Sequence, residues 1–416
     1  FGVKPWGLAG IDGSGGAATG APLAPADITV PEGFRVELIH TVPKEEQGSW
    51  VSLAKDPQGC LLASDQGDKG LYRIVVSADG TATVEKQPAP VSGAQGLAWS
   101  HDALWFHKSG GNLFRITDAD GDGRLETAEE IESVRGGGEH GNHGLVPTED
   151  GSQIYLLAGN FTDPPAPELR SGSRVRTWAE DLLLPRMWDA RGHARGRLAP
   201  GGWVSRFDPQ TRKHEIHTIG FRNHYDLAMN PHGDLFTYDS DMEWDMGSPW
   251  YVPTRICHVV SGGDFGWRSG SGRWPAYYED SLPPVVDIGP GSPTGMIAGT
   301  GAKFPLRYRE AIFALDWTFG TIYAIHLEPQ GSSYTGKAEP FLYGAPLPVT
   351  DAVIGDDGAL YFTIGGRNTQ SALYRVTYTE PIRKEDRVPE ASETVAARAL
   401  RRELETFHGK EHPGAV

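Results

Sequence analysis

Four short segments hold the residue types that could do chemistry. GGGEHGNHGL (136–145) sets two imidazoles, His140 and His143, three residues apart in flexible glycine. A neutral histidine can take a proton from a hydroxyl, the first step of alcohol oxidation or sugar lyase chemistry. The same pair could ligate a metal or simply bond loop backbone. GFRNHYDLA (220–228) adds Arg222, which can polarise a carbonyl or hold a carboxylate, next to Asn223 and His224. YDSDMEWD (238–245) carries four carboxylates between Asp239 and Asp245. Like charges this dense need a cation, an arginine or open water. His224, Asp239, Asp241 and Asp245 therefore form a possible second divalent-metal site, of a donor mix that suits zinc, manganese or iron better than calcium.

The fourth segment, TDADGDGRLETAEEI (117–131), has the spacing of a twelve-residue calcium loop. Asp118, Asp120, Asp122, Glu126 and Glu129 stand at positions 1, 3, 5, 9 and 12, Gly123 makes the sharp turn, and Arg124 offers its carbonyl. The preceding LFRIT reads as a strand rather than a helix, so the loop is expected to be a structural clip rather than a sensor.

These segments must be positioned by the elements around them, and a repeat supplies those elements. An apolar strand, a turn with Gly or Asp, and a second apolar strand recur at 51–67, 95–110, 143–160, 225–241, 304–320 and 349–366, the fifth copy being the loosest. Pro57-Gln58-Gly59, Asp150-Gly151, His232-Gly233 and Asp357-Gly358 are hairpin turns. A third strand follows each copy: LYRIVV, LFRIT, WVSRFD, RICHVV, TIYAIHL and LYRVTY. Six copies of a multi-stranded unit predict an all-β fold, a six-bladed β-propeller with the calcium loop inserted and a C-terminal helix. GFRVELI (33–39) is expected to complete the final blade and remove an open edge. Domain boundaries follow: 1–30 an extension, 31–380 the propeller, 381–416 a linker and helix. In that helix Ser392 is the expected cap, Gly409 the stop, and Val395, Ala399, Leu400, Leu404 and Phe407 the inward face.

Composition excludes other classes. With 54 Gly and 31 Pro, long helical bundles are disfavoured, and 12 Trp, 14 Tyr and 15 Phe supply a large core. A net charge of −16 repels phosphate backbones, so nucleic acid is not an expected partner. No apolar run of spanning length occurs. Cys60 and Cys257 lie in no CxxC or CxxCH motif and read as small hydrophobes rather than a disulfide. A start at Phe1 suggests a processed, exported chain, and the expected location is periplasmic or secreted.

Propeller geometry puts the residues before first strands and after second strands on one face. Besides the segments above, that places Gln95, Asp65, His107, Lys108, Asn160, Asp316, Trp317, Thr350, Asp351, Arg367 and Asn368 there. His140, His143, Arg222, His224, Asp239, Asp241 and Asp245 are expected to converge at one channel mouth, with His140→Ala harming activity and not folding.

HGNHGLVPTEDGSQIYLLAGN resembles the segment of soluble quinoprotein glucose dehydrogenases around their catalytic histidine. GFRNHYDLAMNPHGDLF and GGDFGW (262–267) resemble two further phrases of that family. More broadly, residues 31–410 resemble the propeller of a bacterial family of "putative membrane-bound dehydrogenases", exported proteins that commonly continue into helical repeats and cytochrome c. FTYDSDMEWD, GDFGWRSG, GPGSPTG, ALDWTFG, LPVTDAVIGDDG and GGRNTQSALYRVTY carry that likeness.

The resemblance implies an oxidoreductase acting on a sugar or polyol hydroxyl. His140 is the implied general base and Arg222 the implied substrate-side arginine; His143, which the family pattern does not carry, is a further catalytic candidate. Pyrroloquinoline quinone (PQQ) is the implied cofactor, at Arg222, Asn223, Asn160 and Arg367, and cytochrome c the electron acceptor. The sequence departs from the quinoprotein pattern where a lysine and arginines should hold the quinone carboxylates: Thr318 and Pro348-Val349-Thr350 stand there. Two other readings remain open: a metal-dependent carbohydrate lyase, hydrolase or epimerase, and a non-catalytic carbohydrate-binding propeller using Trp244, Trp250, Trp267 and Trp317.

Overall fold

The structure is a computed structural model that describes residues 20–108, 110–175, 178, 193–242, 251–269, 272–275, 277–382 and 389–408. Asp245, Trp244, Trp250, Gly409 and most of the expected extension lie outside the described residues.

Six antiparallel sheets follow one another along the chain, the blades of a six-bladed β-propeller. The chain forms two compact units, one of Phe1–Ser133, Gly291–His326 and Ala338–Glu385, the other of Val134–Pro290, Leu327–Lys337 and Asp386–Val416.

In the first unit, blade one runs Trp50–Lys55, Leu61–Asp65, Leu71–Val76, Ala82–Lys86. Blade two runs Ala94–Ser100, Ala103–Lys108, Asn112–Thr117, Thr127–Ser133. Blade six is Val349–Ile354, Leu360–Ile364 and Ala372–Tyr378, completed as expected by Phe34–Thr41, which pairs antiparallel with Ala372–Tyr378. The N-terminal strand thereby covers the edge that the last strand would leave open. Phe34 sits edge-on to Phe304, Tyr308 and Phe341 within a core of blade-five and blade-six residues. The hairpin turns are tight because Gly59 and Gly358 take φ of +81° and +79°, a region costly for other residues.

The loosest repeat is corrected. Blade five opens on Pro293–Ala298, and FPLRY instead forms a turn of helix, Leu306–Arg309, before Ile312–Asp316. The Pro305 N-cap stops a strand there, and Tyr308 is buried as part of the core. The outer strands Thr321–Gln330 and Ser333–Tyr343 follow, with residues 327–337 belonging to the second unit.

In the second unit, blade three is Asn142–Pro147, Ile154–Ala158, Gly202–Asp208 and Lys213–Phe221, with Arg170–Ser173 added in parallel on its outer edge. Blade four is Leu227–Met229, Leu235–Asp239, Thr254–Val259 and Val286–Gly289. Long connections leave blade three after Ala158 and blade four after Val259, the latter bearing a small hairpin of Trp267–Arg268 and Gly272–Arg273.

The helix Ser392–Glu405 exists, but its expected faces are reversed. Val395, Leu400 and Leu404 are exposed, whereas Arg398 is buried. The helix docks through its arginines. Asp234 receives Arg401 (2.5 Å) and Arg402 (3.0 Å), while Arg398 pairs with Glu390 and donates to the Tyr334 hydroxyl. Ala391, without a capping side-chain bond, is the N-cap rather than Ser392. No described helix is long and apolar enough to cross a membrane. Cys60 is half-buried, Cys257 is buried, and both are free thiols.

Candidate active site

The site builds outward from His140, in the second unit. Gly136, Gly137 and Gly138 all have positive φ, and a short 3-10 turn, Gly138–His140, delivers the imidazole. The ring is buried, stacks on Phe161 (centroids 4.3 Å apart, 24° between planes) and lies 5.0 Å from the His193 ring. Its Nδ1 is 2.6 Å from Asn160 Oδ1. An amide oxygen only accepts, so with Asn160 so oriented Nδ1 carries the proton and Nε2 the lone pair. Burial, joined by the positive charge of Arg222, pushes the His140 pKa well below 6.5. The ring is therefore a neutral base at neutral pH.

His143 takes a different role. It is buried, stacks on Tyr225 at 4.2 Å, places Nε2 2.9 Å from Asn223 Oδ1 and bonds the Glu139 backbone. Desolvation lowers its pKa to about 4. A ring engaged in this way supports the loop that carries His140. Asn223 is likewise occupied, by His143 and by the Glu139 carbonyl at 3.4 Å.

Arg222 is buried, donates to Ser240 Oγ at 3.0 Å, and its carbonyl accepts from Asn160 N at 2.8 Å. His140, Asn160 and Arg222 thus form one chain of contacts. It continues to Asp239, whose Oδ1 accepts from the backbone N–H of Arg222 (3.0 Å) and Asn223 (3.1 Å).

The expected second metal site does not assemble among the described residues. Asp239 is fully buried, and its Oδ2 is taken by Arg255 (3.1 Å) and Arg273 (3.3 Å). Burial opposes the charge on Asp239, yet Arg255 and Arg273 keep its pKa below the ordinary value. His224 bonds the Trp203 carbonyl through Nε2 at 3.2 Å, and desolvation lowers its pKa to about 3. Asp241 is buried and does not join His224 and Asp239 in a ligand cluster. Among the described residues, the group placed to hold a cation is Asp118, Asp120, Asp122 and Glu126.

That acidic loop follows the third strand of blade two. Asp118 accepts from Gly121 and Gly123 N–H, Asp122 from Arg124 N–H, and Glu126 from Ala119 N–H. Glu129 is not in the cluster: it lies in the strand Thr127–Ser133, paired with Arg115, because the chain leaves the loop as a strand and not as a helix.

Other expected residues have structural roles in the first unit. Asp65 and Asp316 close turns. Asp351 bonds Leu53 N–H across to blade one at 2.6 Å, and the Arg367 guanidinium sits 5.4 Å over Trp317. Sequence reasoning missed Phe161, His193, Arg255 and Arg273. RGHARGR (191–197) is a signal for His193, but the two arginines come from a strand and a hairpin with no motif between them.

A cavity of about 360 Å³ adjoins Asn160. Its walls include Pro165, Arg170, Trp178 and Arg197.

No protein-family model and no curated protein matches the sequence. Solved structures do match in fold. A protein described as an oxidoreductase (glucose dehydrogenase) from Thermus thermophilus superposes with TM-score 0.57 at 17% identity, over 82% of this chain and 99% of that one. The PQQ-bound aldose sugar dehydrogenase of Streptomyces coelicolor gives 0.54 at 16%, over 84% and 100%. The apo-form soluble aldose sugar dehydrogenase of Escherichia coli gives 0.52 at 15%, over 83% and 99%. The chain thus has the propeller fold of soluble sugar dehydrogenases. At such identity the likeness speaks for the fold, since one fold hosts many reactions.

Proposed function

We propose that the protein is an exported oxidoreductase that acts on a hydroxyl of a sugar or polyol, with His140 as general base. The observation that carries this reading is the 2.6 Å bond from His140 Nδ1 to Asn160, which fixes the tautomer and leaves Nε2 as the proton acceptor. Oxidation of a hydroxyl carbon sends the O–H proton to a base and the C–H hydride to a bound two-electron acceptor, and Arg222 next in line would stabilise the oxygen as the proton leaves. Similarity to sugar dehydrogenases of the same fold supports the substrate class.

PQQ does not fit the residues that would hold its carboxylates. Thr318 is neutral and spends its hydroxyl on Ser292 Oγ at 2.7 Å, and Thr350 is buried against the Thr363 hydroxyl at 2.9 Å. A triply acidic quinone needs cations at those registers. The hydride released from carbon must therefore pass to a two-electron organic acceptor other than PQQ, bound beside His140, which cytochrome c could then reoxidise one electron at a time. A metal-dependent lyase or hydrolase is not favoured, because the described donors for its ion are bound to arginines and backbone.

Calcium is the cation proposed for the acidic loop, where an all-oxygen donor set suits it. The test of function is dye reduction by the purified protein over a panel of aldoses, uronates and polyols, with and without PQQ and calcium. Substrate-dependent reduction that disappears in His140→Gln supports the reading. No reduction under any condition overturns it.

A further inference from the structure

The cavity beside Asn160 has a charge that the rest of the chain does not lead one to expect. The protein carries −16 overall. Within this cavity wall, Arg197 is paired with Asp163 at 3.1 Å. Arg170 has no carboxylate partner among the described residues; its guanidinium lies 5.8 Å over the ring of Trp178. A half-buried guanidinium braced on an indole face is held in place without being neutralised. The described walls thus carry one uncompensated positive charge.

One residue of the cavity wall, Asn160, is bonded to His140. Asn160 is buried, its Oδ1 accepts from His140, and its amide nitrogen Nδ2 has no hydrogen-bond partner among the described residues. A buried donor left unpaired carries its desolvation cost unrelieved, so a ligand oxygen that accepts from it gains over an apolar group. A ligand anchored there brings an oxygen to the neighbour of the catalytic base.

From these two features we infer that the cavity is a substrate subsite for an acidic saccharide, a sugar bearing a carboxylate such as a hexuronate. The carboxylate meets Arg170, whose planar fork matches it in two hydrogen bonds. A ring oxygen or hydroxyl accepts from Asn160 Nδ2. Pro165 and its neighbours give a stiff wall that needs little ordering when the ligand enters. The inference rests on the reading of His140 as a base towards sugar hydroxyls, which it narrows from sugars in general to acidic ones.

Isothermal titration of the whole chain with galacturonate and glucuronate against galactose and glucose tests it by binding alone. The acids should bind at least about tenfold more tightly, with the preference shrinking as salt rises, because screening weakens the ion pair. Arg170→Gln should bring acids and neutral sugars to the same affinity. Asp163→Asn frees Arg197 from its partner and should tighten binding of the acids, a gain that loss of folding cannot mimic. Equal affinity for acids and neutral sugars in the unaltered chain overturns the inference, as does an acid preference that survives Arg170→Gln. Uronates that bind through Arg170 but are not oxidised would leave the subsite standing and sink the dehydrogenase reading. Neutral sugars oxidised without regard to Arg170 would do the opposite.

Discussion

Blades one, four and five end their second strand on an aspartate at the fifth position: Asp65, Asp239 and Asp316. Blade three ends it on Ala158. Where the aspartate is present it closes the blade. Asp65 accepts from Ser49, Gly67 and Lys69 N–H, and Asp316 from Ser292, Thr318 and Phe319 N–H. A Cβ at Gly48 or Gly291 would collide with these carboxylates, so the glycines make the clasp possible. In blade three no carboxylate is there to clasp the turn. The chain runs on through Gly159 to Asn160, and Asn160 bonds His140 instead. An acid repeated at one register is therefore scaffold, and the candidate chemistry collects in blade three, one of the three blades that lack it. Asp239 is the clasp carried furthest, since two buried guanidinium groups depend on it.

The sharpest break between the two regions should come from paired substitutions. His140→Gln, which keeps most of the ring's volume, should lower turnover by about 10²–10⁴-fold, the usual worth of a general base. Its melting temperature should stay within a few degrees. His140→Ala is the poorer choice: the ring is buried against Phe161, so the expectation that its removal leaves folding untouched is corrected. Asp239→Ala should act first on stability. It leaves Arg255 and Arg273 buried without their carboxylate, at a cost of about 3–5 kcal/mol in urea unfolding. Asp316→Ala should cost less, roughly 1–3 kcal/mol, because its described donors are backbone N–H groups and not buried guanidinium groups. Equal losses at Asp239 and Asp316 would erase the distinction between a clasp that holds arginines and one that does not.

Acid should next separate the second unit's buried histidines from ordinary ones. His143 falls from 6.5 to about 4 by desolvation, and His224 to about 3. Below pH 6.5 the unfolded chain binds protons that the folded rings refuse, so stability falls as pH drops from 6.5 towards 4. The His143 shift alone is worth about 3 kcal/mol over that window. Urea midpoints measured from pH 7 to 4 should show the decline, and His143→Gln should flatten it. A midpoint constant down to pH 4 would contradict the buried, neutral state of these rings. The smallest effect belongs to the acidic loop. Chelator should lower the melting temperature by a few degrees if Asp118, Asp120, Asp122 and Glu126 hold calcium, by mass action on the folded state. Asp118→Ala should match the chelated protein and lose its response to added calcium.

The propeller was legible because each blade writes its own signature: alternating apolar strands around a Gly turn, six times over. The fifth copy misled, since FPLRY has strand-like residues and yet Pro305 starts a helical turn. The C-terminal helix misled for a different reason. Its leucines mark an apolar stripe, but the docking partner is the buried carboxylate Asp234, which sits far away in sequence and attracts arginines. At the candidate site, His140 and Arg222 stood out by their glycine-rich and Arg-Asn phrases. Asp239 stood out too, as a ligand, and became a clasp. Its partners Arg255 and Arg273 arrive from a strand and a hairpin, and no local spacing in the sequence tells which cation an acid will meet.

The claim on which the proposed chemistry turns is the state of one ring. Nitrogen-15 NMR of imidazole-labelled protein, with the His140 signals assigned by His140→Gln, reads that state without any substrate. The protonated nitrogen should be Nδ1, Nε2 should show the shift of a bare lone pair, and neither should titrate between pH 8 and 5. Asn160→Asp should place a carboxylate beside Nδ1 and move the titration up into that range. A ring that gains its second proton near pH 6.5 in the unaltered protein, or that carries its single proton on Nε2, would contradict the general-base assignment.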